Sequence, residues 1–287
     1  MGQEIELKLA LGKEGPERLC RHPRLAGASC ERRHLVNTYY DTPDGRLEAA
    51  RMALRLRRRD ASLRQTLKTE GDSSGGLSRR DEWEWEVPGP GLDHEGLAAL
   101  PSIAALGPAV LERLEARFTT DFTRRAWTLT LDGASVEVAL DEGEIRSGAR
   151  RAAIRELELE LKAGSPAVLR RLAAEFADSV PLRPAETSKA ARGSALLAGH
   201  WSLPAGDGTP AAALRRAMCA LDALADSGDD AWRRTAIDTL ADLAEPEAAE
   251  LAARLKAADW LTPAFGQLAL HLAQRLDDAA GPGERQA

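Results

Sequence analysis

Glu4-Ile5-Glu6-Leu7-Lys8-Leu9 sets a charged residue at every second position and an aliphatic one between each pair. A strand has a side-chain period of two. This stretch therefore carries Glu4, Glu6 and Lys8 on one face and Ile5, Leu7 and Leu9 on the other. The pattern returns along the chain. Arg55 and Arg57 alternate with Leu54 and Leu56, and Thr66 and Lys68 flank Leu67. Glu82, Glu84 and Glu86 alternate with Trp83, Trp85 and Val87, and Glu156, Glu158 and Glu160 with Leu157, Leu159 and Leu161. One such strand would turn its charges to water. A set of them reads as a closed antiparallel barrel lined with Glu, Arg and Lys. That lumen suits a metal ion together with a polyanion.

The chain has 287 residues, enough for one or two domains and a sizeable core. Its 44% hydrophobic and 29% charged residues are those of a soluble globular protein. The net charge of −6 argues against a general nucleic-acid binder. The sequence holds no long apolar run for a membrane span and begins without a basic-then-apolar signal segment, so a cytoplasmic protein is expected. Cys20, Cys30 and Cys219 lack metal-ligand spacing and read as reduced thiols. The five histidines likewise share no spacing that makes a metal site.

Strands are expected over 3–11, 34–41, 52–59, 63–69, 81–87, 116–124, 126–131, 135–141, 144–146 and 153–162. Asp60-Ala61 and Asp132-Gly133 read as tight turns, and Thr42-Pro43-Asp44-Gly45 as a turn by its Pro-Asp-Gly chemistry. The Gly/Ser-rich run 71–78 reads as a loop, and Pro88-Gly89-Pro90-Gly91 ends a strand. Short helices are expected at 13–22, 46–50, 93–100, 108–115, 166–178 and 188–197. After the Gly/Pro-rich stretch at 204–210 the character changes. Residues 210–277 are Ala/Leu-rich with helical periodicity, and the tail beyond Asp278 reads as frayed. The expected fold is α+β: a closed antiparallel barrel with peripheral helices over 1–203, then a small all-α region over 204–287.

The motifs resemble those of the CYTH superfamily, the triphosphate tunnel metalloenzymes. Glu4-Ile5-Glu6-Leu7-Lys8 matches the family's Glu-x-Glu-x-Lys opening. Tyr40-Asp41-Thr42, Leu54-Arg55-Leu56-Arg57 and Thr66-Leu67-Lys68 follow in the family's order. So do Arg80 with Glu82 and Glu84, Arg124 with Trp127, and Glu137 to Asp141 with Gly143. The Glu156–Leu161 strand and Ser188-Lys189 with Arg192-Gly193 complete the set. The likeness spans about residues 3–195 and is strongest to bacterial inorganic triphosphatases, which often carry a helical CHAD domain. The segment 205–287 has only His271 and lacks the His-x-x-Arg-x-x-x-Arg-Arg-like helix of CHAD, so it resembles at most a short or partial one.

The resemblance implies a tunnel in which carboxylates hold Mg²⁺ or Mn²⁺ and cations hold phosphates. The implied metal ligands are Glu4, Glu6, Glu156 and Glu158, with Asp141 as ligand or support. Lys8, Arg55, Arg57, Lys68, Arg124, Lys189 and Arg192 are the implied phosphate binders, with Lys8 and Lys189 also counted as catalytic. Glu82, Glu84 and Glu137 are supporting residues, the first two as a second metal site or as groups that orient cations. Arg58 and Arg59 break the alternation and are left out. Trp83 and Trp85 lie opposite the glutamates and read as packing. The implied activity is hydrolysis of inorganic triphosphate, or a related polyphosphate, to diphosphate and phosphate. Two alternatives keep the fold: an organic-triphosphate hydrolase (thiamine or nucleoside triphosphate) or a class IV-like adenylate cyclase, and a polyphosphate-binding module without turnover. No nucleic acid or membrane partner is expected, and a homodimer stays open.

Overall fold

The structure, a computed structural model, describes residues 2–59, 62–69, 71–87, 89 and 91–279. The turn expected at Asp60-Ala61, Pro88 and Pro90 of the strand-ending run, and the tail from residue 280 lie outside the described residues. The chain runs β1 (Gly2–Leu11), α1 (Gly15–Cys20), β2 (Cys30–Asp41), α2 (Arg46–Ala49), β3 (Met52–Arg59), β4 (Ser62–Thr69), β5 (Asp72–Ser74) and β6 (Leu77–Val87). It continues with α3 (His94–Ala98), α4 (Pro101–Ala104), α5 (Ala109–Glu112), β7 (Glu115–Leu131), β8 (Ala134–Ser147), β9 (Arg150–Ala163), α6 (Ala167–Ala177), β10 (Leu182–Pro184) and α7 (Lys189–Ala198). Four helices follow: α8 (Pro210–Ser227), α9 (Ala231–Ala241), α10 (Pro246–Arg254) and α11 (Pro263–Ala279).

The sheet runs β1-β9-β8-β7-β2-β3-β4-β6, and β6 pairs back with β1. The result is a closed eight-stranded antiparallel barrel. Closure removes the open sheet edges and gives every strand an inner and an outer face. Register then sets opposite charges side by side. Lys8 lies across from Glu158, Glu4 from Arg80, Lys68 from Glu82 and Arg124 from Asp141. Cross-strand neighbours of opposite sign stabilise a sheet by about 0.2–1 kcal/mol each.

With charge inside, the main apolar cores form outside the ring. Leu7 and Leu9 of β1, Val136, Val138 and Leu140 of β8 and Leu157 and Leu159 of β9 pack under Val168, Leu172 and Phe176 of α6. On another wall Leu54 and Leu67 pack with Trp83 and Trp85 against α2 to α5. A third cluster, with Tyr39, Phe118, Phe122 and Ile154, packs beneath Leu196 of α7. Helices α8 to α11 share a cluster of their own that includes Met218, Leu240, Leu251 and Phe265.

Four local expectations change. The strands read at 116–124 and 126–131 are one 17-residue strand. Those at 135–141 and 144–146 are likewise one. Within the former gap at 142–143, Gly143 sits opposite Phe122, where a Cβ would clash with the backbone of β7. The Gly/Ser run is a hairpin rather than an open loop. Gly75 and Gly76 turn it with φ of 55° and 81°, and the Gly76 carbonyl accepts from the Lys8 amide at 2.9 Å. The short β10, unforeseen, pairs with Leu9–Leu11.

Gly193 ties the fold to the site. A Cβ there would run into the Phe118 ring, so α7 lies on the barrel only because this position is bare. Gly193→Ala is expected to lift α7 and cost about 1–3 kcal/mol, as overpacking does. Chemical denaturation of both chains checks it, and an unchanged midpoint would mean that Phe118 gives way freely.

Candidate functional site: a charged lumen

The inward face of the barrel lines a cavity of about 1130 Å³. Glu4, Glu6, Lys8, Arg55, Arg57, Lys68, Glu82, Glu84, Arg124, Glu137, Glu158 and Lys189 all reach it. Among the sequence-derived site residues, Asp141, Glu156 and Arg192 do not line it. They lie behind Lys189.

One half of the lumen centres on β1. Both oxygens of Glu4 accept from the Lys68 ammonium, at 2.7 and 2.8 Å, and one accepts from Arg80 Nε at 2.8 Å. Arg80 also holds Glu6, and Lys8 stands 3.6 Å from Glu6. Burial alone would raise the Glu4 carboxyl, but Lys68 and Arg80 outweigh it and hold it down to about 2. Lys68 further lies 3.5 Å from Glu82, and Arg55 3.8 Å from the same carboxylate. Glu84 accepts from Arg64 at 2.7 Å and from the Thr66 hydroxyl at 3.1 Å.

The other half centres on Lys189. Ser188 caps α7 by accepting from the Ala191 amide, so Lys189 opens the helix and Arg192 follows one turn later on the same side. The Lys189 ammonium lies 2.7 Å from Asp141 and 2.9 Å from Glu158, and also pairs with Glu156. Arg124 grips Asp141 through two bonds of 2.7 Å and Glu158 at 2.5 Å. Burial pushes both glutamates up. For Glu158, Lys189 and Arg124 outweigh that push and hold it well below the usual carboxylate range. Glu156, deeper and beside Glu158, stays raised by its burial. Oxygens of Asp141, Glu156 and Glu158 come within 4.8 Å of one another, a spacing that a cation can bridge.

The cations are not all satisfied. The Arg55 guanidinium bonds the Tyr39 hydroxyl, yet its buried Nε finds no hydrogen-bond partner among the described residues. Arg57 is pulled below its ordinary value by burial and then by Arg55 and Arg124 beside it. Crowded arginines with a spare donor make a place for an anion.

Two contributors were given no role in the sequence reading, Arg80 although its motif was noted and Asn37 altogether. Arg80 shares the inward face with Glu82 and Glu84, so its alternation was a readable signal. Asn37, fully buried, accepts from Arg57 Nε at 2.8 Å and donates to the Thr120 hydroxyl at 2.8 Å, which aims Arg57 into the lumen. No charge pattern marks Asn37.

A model of the CYTH domain matches residues 2–194. The chain belongs to the CYTH domain family. An inorganic triphosphatase of Haemophilus influenzae is 37% identical over 174 residues, covering 58% of this chain and 47% of that protein. The chain thus spans about half the length of this curated relative. A Hippeastrum protein, described as a putative adenylyl cyclase with a dominant triphosphatase activity, shares the fold at a TM-score of 0.50. It is 20% identical, over 69% of this chain and 97% of its own. No helix among the described residues is long and apolar enough to cross a membrane.

A carboxyl whose folded pKa is depressed stabilises the fold above its unfolded pKa and loses that contribution as pH falls through the folded value. For Glu4 that window runs from 4.5 down to about 2. The metal-free chain is expected to lose thermal stability steadily across it, and Glu4→Gln to flatten part of the loss. Melting temperature against pH for both proteins is the measurement; parallel curves would show that the Glu4 pairs do not stabilise the fold.

Proposed function

We propose that this CYTH domain protein hydrolyses inorganic triphosphate to diphosphate and phosphate inside the barrel, with the help of a divalent cation. The observation that carries the reading is the spare donor of Arg55, crowded by Arg57, beside carboxylates that line the same lumen. The named activity of the Haemophilus influenzae relative supports the choice of substrate.

The residues divide the work by charge. Arg55, Arg57, Arg124, Lys8, Lys68 and Lys189 bind phosphate oxygens, the arginines by two parallel donors. Lys189 and Arg80 neutralise the acidic walls in the resting chain. Glu4, Glu6 and Glu158 face the cavity with hard oxygen donors, which fit Mg²⁺ or Mn²⁺. The donor chemistry fits such an ion: Glu4, Glu6 and Glu158 are carboxylates already held by ammonium and guanidinium groups, so this wall calls for positive charge. The bound ion would supply charge neutralisation on the phosphates and polarisation of a phosphoryl oxygen. Asp141 and Glu156 support from behind Lys189, and Arg192 acts there rather than on phosphate. Glu82 and Glu84 orient Arg55, Lys68 and Arg64, while Glu137 lies beside Glu160 at the cavity wall.

Phosphoryl transfer is mostly positioning and electrostatic stabilisation. The depressed Glu4 and Glu158 carboxylates are weak bases, which suits holding a cation rather than taking a proton. Substrate phosphates are expected to draw Lys68 and Arg124 away from their carboxylates and free those oxygens.

The test is phosphate release from tripolyphosphate, ATP and thiamine triphosphate with Mg²⁺, with Mn²⁺ and with a chelator. Tripolyphosphate is expected to be preferred, the chelator to stop turnover, and Glu158→Gln to lower turnover by at least about 100-fold. Faster turnover of an organic triphosphate would move the substrate assignment, and full activity in Glu158→Gln would end the assignment of that residue.

A further inference from the structure

Helix α8 presents two aspartates four residues apart, so Asp222 and Asp226 share one face. That face meets α7 and the turn before it. Asp222 accepts from the backbone amides of Glu186 at 3.1 Å and Thr187 at 2.9 Å, and pairs with buried Arg183 at 2.7 Å. Asp226 grips Arg192 Nε at 3.0 and 3.1 Å and its terminal nitrogen at 2.6 Å. Arg192 in turn donates to Glu156 at 3.3 Å and to the Ala153 carbonyl at 2.5 Å. The two grips fall on either side of Lys189, at residues 186–187 and at residue 192.

The same helix is also linked to β1 through Glu186. Glu186, whose amide Asp222 holds, accepts from the Gly76 amide at 2.8 Å, and Gly76 is bonded to Lys8 through its carbonyl. Burying a carboxylate is costly unless it is paired. Asp226 has only 1% of its side chain exposed, and its charge goes to an arginine that does not line the cavity. A surface helix that merely covered the barrel would need apolar contacts and no such buried acid.

We propose that Asp226 and Asp222 are positioning residues for Lys189, and that the helical region 204–287 is part of the hydrolytic unit rather than a separable appendage. This rests on the triphosphate reading of the lumen. A brace on both sides of Lys189 fixes where its ammonium stands, and so how much positive charge meets the phosphates.

The experiment is steady-state hydrolysis of tripolyphosphate by the full chain with Mg²⁺, for the parent and for Asp226→Asn, with melting temperatures beside it. Asp226→Asn is expected to raise KM about tenfold with a much smaller change in kcat, because ground-state binding is what the brace serves. Asp226→Glu keeps the charge on a longer arm and is expected to recover most of the loss. It also decides the matter if the amide variant does not fold, since a KM equal to the parent's supports the brace only when Asp226→Ser in the same assay is weakened. Asp277→Asn is the control. It breaks the pair between α11 and Arg170 of α6, also between helical region and barrel but away from α7, and is expected to leave KM unchanged. Parent turnover with KM unmoved in both Asp226→Asn and Asp226→Ser overturns the brace and leaves the triphosphate reading standing. An equal rise in KM in Asp277→Asn also overturns it, because general loosening would then explain the effect. A parent chain that neither binds nor hydrolyses tripolyphosphate overturns both.

Discussion

The Lys189 ammonium, shared among Asp141, Glu156 and Glu158 inside a closed barrel, sets the terms for the rest of the molecule. Three carboxylates cannot stay ionised together in a dry interior without compensation. One ammonium is not enough by itself, so Arg124 and Arg192 complete the neutralisation from two sides. Each of these cations has to be held in place in turn. Arg124 is locked by its register opposite Asp141, and Arg192 by Asp226 from another helix. Breaking one member of a buried ionic set costs on the order of 3–5 kcal/mol, so the set is kept or lost together.

A charged lumen also decides where the protein finds its stability. Much of the inside of the ring cannot serve as a hydrophobic core, and the aliphatic half of each alternating strand therefore faces outward. Bare, that outer surface would be a large apolar patch. Helices α1 and α6 cover one wall and α2 to α5 another, which explains why short and otherwise weak helices persist between β6 and β7. Beneath α7 apolar packing also enters the lumen, where Tyr39 stacks on Phe118 with centroids 4.7 Å apart.

The sequence made the barrel legible because closure leaves a plain mark, a period of two with charge on one phase and aliphatics on the other. Glu4 to Leu9 and Glu156 to Leu161 needed nothing more. The continuity of β8 through Gly143 was not legible, because the cause of that glycine is close approach to Phe122, a neighbour that only tertiary structure reveals. The hairpin at 71–78 was hidden for a similar reason: its Gly/Ser composition says turn, but the pairing to Lys8 and Glu186 that fixes it comes from residues far along the chain. Depth inside the lumen was also unreadable. Alternation puts Glu156 and Glu158 on one face, yet only Glu158 reaches the cavity, because α7 covers the other. Asp222 and Asp226 lie one turn apart in an Ala/Leu-rich helix, a spacing that in sequence reads as a solvated face.

The resting lumen is best understood as a self-complementary ionic network that an anion can rearrange. In the free chain each cation on the β1 side answers a carboxylate: Lys68 and Arg80 answer Glu4, and Lys8 answers Glu6. A polyanion entering this space competes with carboxylates for the same donors, and arginine favours phosphate for its bidentate match. Under the proposed function, donors that moved to phosphate would leave carboxylates without compensation, and those oxygens would then bind a divalent cation more strongly. Anion and metal would thus reinforce one another through the wall residues. The same network accounts for the mixture of acids and bases in one lumen. A purely basic tunnel would hold the substrate but would repel the metal, and a purely acidic one would do the reverse.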